Sequence, residues 1–68
     1  MTHEIFLHAV SNHFFAKCLI SGLRNVVRSP DYQFITKQGL THYEVWVRAN
    51  FLIPEHIIDV LRGKGKLR

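Results

Sequence analysis

At 68 residues the chain has room for one domain and one small core, in which only about 60% of the unfolded surface can be buried, so a deep catalytic cleft is not expected. A composition of 47% hydrophobic and 12% aromatic residues excludes a disordered chain. The formal net charge is +4, but Met1 to Arg62 carries six basic and five acidic groups, and the excess sits on Lys64, Lys66 and Arg68, which weakens global basicity as an argument for a nucleic-acid-binding body.

The lone Cys18 has no partner for an intramolecular disulfide and reads as a small core residue. Met1-Thr2-His3-Glu4 lacks the cationic start of a signal peptide, and no apolar run approaches the roughly 20 residues that cross a bilayer. The expected setting is reducing and cytoplasmic, with no membrane contact.

Glu4 to Val10 reads as a strand, because extending the following helix backwards through Ile5, Phe6, Leu7, Ala9 and Val10 would spread apolar residues around most of its circumference. From Ser11 to Arg28 a 100° period places Phe14, Phe15, Cys18, Leu19, Gly22, Leu23 and Val26 on one broad side. His13, Lys17, Ser21, Arg24 and Arg28 fall within roughly 80° on the other, which makes that stripe cationic. Ser11, or Asn12 with a one-residue shift, can cap the helix, and Ser29-Pro30-Asp31 ends it.

Two runs of period two follow. Tyr32, Phe34 and Thr36 alternate with Gln33 and Ile35, and Tyr43, Val45, Val47 and Ala49 alternate with Glu44, Trp46 and Arg48. Lys37-Gln38-Gly39-Leu40-Thr41 joins them as a hairpin, with Gly39 available for a positive φ. Pro54 can open a second helix whose narrow apolar stripe is Ile57, Ile58 and Leu61, and Gly63 can stop it.

The expected fold is a small two-layer α+β sandwich, βαββα, with a three-stranded antiparallel sheet in the order 1-3-2 and both helices on one face. It comprises a single domain over residues 1–62 and a basic tail over 63–68. The alternative is one long helix from about Thr2 to Arg28 packed on a hairpin.

Five histidines raise the question of a metal, but His3, His8, His13, His42 and His56 offer no ligand pair four apart on a helix, and the sequence implies no metal or cofactor. A metal-independent ribonuclease could use His42 and Tyr43 with His8, Arg48 and Lys37 across the sheet, yet no motif fixes their geometry. If Ile5, Leu7 and Ala9 face the helices with Tyr32, Phe34, Tyr43, Val45 and Val47, then Phe6, His8, Val10, Gln33, Ile35, Glu44, Trp46 and Arg48 face outward. An exposed sheet of that kind, centred on Trp46, suits a protein partner or a second copy, or the stacking of unpaired bases. The stripe of Lys17, Arg24 and Arg28, with Lys64, Lys66 and Arg68, could meet phosphates.

The expected function is that of a small non-enzymatic binding protein, a regulator or inhibitor occupying a surface of another protein. Its likeness to small phage and mobile-element proteins is an analogy of size alone. Nucleic-acid binding is the first alternative and ribonuclease activity the second.

Overall fold

The computed structural model describes residues 2–63. Along the chain lie β1 (His3–Val10), α1 (His13–Val26), β2 (Gln33–Gln38), β3 (Tyr43–Ala49) and α2 (Glu55–Leu61). The three strands form one antiparallel sheet in the order β1-β3-β2, as the hydrophobic patterning implies. The long-helix alternative is thereby excluded, since residues 3–10 form a strand that pairs with β3 on both sides of Leu7. Val45, Val47 and Phe34 from the sheet meet Ala16 and Leu23 from α1 and Leu61 from α2 in one core, with both helices over the same face.

Local chemistry explains the boundaries. Asn12, in an extended conformation, accepts from the Phe15 amide at 3.0 Å, so it is the N-cap rather than Ser11. α1 stops at Val26, two residues before Arg28, because Val27 is extended while its amide still donates to the Leu23 carbonyl. The Ser29 hydroxyl accepts from the Asp31 amide and fixes the turn around Pro30. Pro54 precedes α2 without any side-chain cap, and Gly63 adopts a φ of 78° just past its end. Gly39 does not have a positive φ. A Cβ there would lie 2.9 Å from the His42 ring and 3.1 Å from the His42 carbonyl oxygen, so a larger residue would push the ring aside. The proposed basic tail at Lys64, Lys66 and Arg68 lies outside the described residues.

Two expectations about burial are overturned. β1 does not alternate strictly: Phe6 pairs with Trp46 and His8 with Val45, so Leu7 is the extra residue of a bulge. Beyond the bulge the parity inverts, placing His8 and Val10 on the helical side and exposing Ala9. The inversion buries the larger valine in place of the alanine, and it turns His8 toward α2, where its Nε2–H donates to the Leu61 carbonyl at 2.9 Å. That carbonyl is one of the helix-end acceptors with no partner inside the helix.

The second correction concerns α1. Its core-facing line is Ala16, Leu19, Ile20 and Leu23, whereas Phe14 (69% exposed), Phe15 (51%), Cys18 and Val26 stand in solvent. One helix on a three-stranded sheet touches it along a single stripe, so an apolar arc this broad cannot all be covered. Ala16 is completely buried because a small side chain lets the helix lie close to β3 there.

Candidate functional site

The sheet face turned away from the helices is set by register. Gln33, Ile35 and Lys37 of β2 stand opposite Arg48, Trp46 and Glu44 of β3, which in turn face Glu4, Phe6 and Ala9 of β1. Trp46 lies at the centre, half-buried, with the Phe6 ring edge-on at 5.8 Å between centroids. Glu4 draws Lys37 across the sheet: the Lys37 ammonium donates to Glu4 Oε1 at 2.8 Å and rests 3.9 Å from the centroid of the Trp46 ring. Arg48 Nε donates to the other Glu4 oxygen at 3.1 Å. Glu44 accepts from the Trp46 indole N–H at 3.1 Å and pairs with His42 at 3.1 Å when that ring is protonated.

Six of the eight residues expected on this face occupy it: Phe6, Gln33, Ile35, Glu44, Trp46 and Arg48. His8 and Val10 do not, because the Leu7 bulge rotates them to the helical side. Glu4 and Lys37 complete the face and were not placed on it from sequence. Strand parity alone places Lys37 with Trp46, but only the register of β1 against β3 brings Glu4 within reach of both cations.

The ribonuclease constellation is not assembled. His8 and Tyr43 lie on the helical side, with Tyr43 against the His13 ring at 5.6 Å, while Lys37 and Arg48 are bound to Glu4 on the opposite face. Among the described residues no group of three or more His, Cys, Asp or Glu side chains is placed to hold a metal ion. No described helix is long and apolar enough to cross a membrane.

The cationic stripe forms the wall of a trough. His13, Lys17, Ser21 and Arg24 line an open groove of about 420 Å³ with Ile20 of α1 and with Phe34, Ile35 and Thr36 of β2. A second groove shares Arg24 and Phe34 with it and continues past Val27 and Arg28 to Tyr32. Lys17, Arg24 and Arg28 are therefore gathered along the free edge of β2. None of them is in an ion pair among the described residues.

The carboxylates on the sheet face predict a pH response. The Lys37 hydrogen bond, with Arg48 behind it, holds Glu4 below its ordinary value of 4.5, and the His42 and Trp46 hydrogen bonds do the same for Glu44. A depressed folded pKa stabilises above the unfolded value and is lost as pH falls through the folded one. Thermal stability should therefore decline as pH drops below about 4.5, and Glu4→Gln should flatten that decline. Melts of both proteins across this range test it; equal slopes would mean that Glu4 is not coupled to folding.

In comparisons with protein-family models, curated proteins and solved structures, nothing matches this chain.

Proposed function

We propose that the chain is a non-enzymatic binding protein that regulates or inhibits another protein by occupying its surface through the sheet face around Phe6 and Trp46. The observation that carries this reading is the position of Lys37. Its ammonium sits over the Trp46 ring, where an unpaired base would otherwise stack, and its charge is answered by Glu4. Glu4 and Glu44 on this face balance Lys37 and Arg48, so the surface offers an aromatic centre with a polar surround and little net charge. Protein interfaces favour that composition, whereas phosphate-rich partners favour an excess of positive charge.

The trough of Lys17, Arg24 and Arg28 supports a second reading, in which nucleic acid is held by charge and recognised by shape. Salt separates the two. Affinity capture from the source cell, with and without nuclease, followed by titration of the recovered partner at rising salt, should yield a nuclease-resistant protein complex with a shallow salt dependence. Recovery of nucleic acid, with log affinity falling about 2 to 3 units per unit of log salt, would sink the sheet-face reading and favour the trough.

A further inference from the structure

The two free edges of the sheet are treated differently. On β1 the Leu7 bulge breaks the ladder, and the Arg62 guanidinium donates to the Phe6 carbonyl at 2.8 and 3.2 Å, occupying an outward-pointing acceptor. Bulges and covering side chains of this kind protect an edge from pairing with another chain. On β2 the register runs without a bulge from Gln33 to Gln38, with neither proline nor glycine.

The Gly39 amide donates to the His42 carbonyl at 2.8 Å, which fixes the phase of the β2–β3 ladder. Alternation along an antiparallel pair then directs the N–H and C=O groups of Ile35 and Lys37 toward β3, and those of Phe34, Thr36 and Gln38 toward the open edge. The groove beside that edge is lined by His13 and by Lys17 and Arg24, two cations without ion-pair partners among the described residues.

From this juxtaposition we infer that the open edge of β2 is a docking site for an extended acidic protein segment, which adds as a fourth strand and sets its acidic side chains against Lys17 and Arg24. The inference deepens the protein-binding reading above and rests on it, since it names the chemistry of a partner at a second contact. β2 and α1 match in span: six strand residues and fourteen helical residues each extend about 20 Å. Residues of the added strand opposite Phe34 and Thr36 share the helical side with the cations, and those opposite Ile35 share the sheet face, so acidic and apolar residues should alternate. A nucleic-acid backbone would satisfy the cations and the outward amides. A DNA backbone brings no donors for the outward carbonyls of Phe34, Thr36 and Gln38, and RNA only its 2′-hydroxyls, whereas a peptide backbone brings donors and acceptors at the strand repeat.

The test is a fluorescence-anisotropy titration of the domain against a labelled peptide of about eight alternating glutamate and valine residues, roughly the length of this edge. A lysine–valine peptide and a short oligothymidylate serve as comparisons. Saturable binding of the acidic peptide is expected, with protection from hydrogen exchange at the Phe34, Thr36 and Gln38 amides. Thr36→Pro removes only an outward amide and should weaken binding about tenfold or more while the domain still melts cooperatively. Lys17→Glu with Arg24→Glu, both exposed on α1, should weaken it comparably and keeps the test valid if the proline variant fails to fold. Absence of saturable binding, or binding by folded Thr36→Pro as tight as by the parent, would overturn the edge site and leave the Trp46 reading standing. Tighter binding of oligothymidylate with the same charge dependence would overturn it in favour of a phosphate site.

Discussion

Leu61→Ala should remove about 2 to 5 kcal/mol of folding stability at 25 °C, a large share of what the domain has. Leu61 is 1% exposed and is the largest of the fully buried side chains, packed among Val45, Val47 and their neighbours. Truncating a leucine in such a site costs about 2 to 5 kcal/mol, because the methyl contacts are lost and the surroundings cannot collapse fully into the cavity. A chain of this size has a total stability of only about 3 to 10 kcal/mol. The position also matters topologically. α2 has seven residues, too few to persist as a helix without tertiary contacts, and Leu61 together with the His8 and Arg62 hydrogen bonds ties it to β1. Urea denaturation followed by circular dichroism and by Trp46 fluorescence should show one transition displaced to much lower denaturant in the variant. A change under about 1 kcal/mol would mean that α2 is peripheral to the core.

Trp46→Ala should have the opposite profile, weakening a protein complex by about 2 kcal/mol or more while costing the fold less. Its partners within the chain are the Phe6 ring, the Lys37 ammonium and the Glu44 carboxylate that accepts from its indole N–H, contacts worth about 0.5 to 1 kcal/mol each where solvent has access. The residues that hold the sheet to the helices, Val45 and Val47, flank it in sequence and point the other way. Glu4 can still bond Lys37 and Arg48 after the truncation, so the polar surround should survive its loss. Binding isotherms beside thermal melts decide the matter. A melt that falls as far as the affinity would make Trp46 a stabilising lid of the sheet rather than a contact residue.

Sequence alone determined the order of elements, the strand order and most of the sheet's sidedness. These depend on local periodicity and on the short chain connections: Phe34, Val45 and Val47 alternate with Ile35, Trp46 and Arg48 whatever lies around them, and Pro30 and Pro54 bracket the hairpin between the two helices through their own backbone restrictions. The cationic stripe was legible for the same reason, since Lys17 and Arg24 share a helix face at any packing angle. Tertiary structure decided what depends on distant partners. Nothing local in His3–Val10 announces that Leu7 will bulge; burial of Val10 and the Leu61 carbonyl's need for the His8 donor select it. A helix with a broad apolar arc does not say which part meets the sheet, and packing chose the Ala16–Leu23 line, leaving Phe14, Phe15 and Cys18 outside. The Glu4–Lys37–Trp46 arrangement likewise joins residues far apart in sequence on three different strands. Only strand register brings those charges together, because an ion pair forms through space while periodicity is a property of neighbours along the chain.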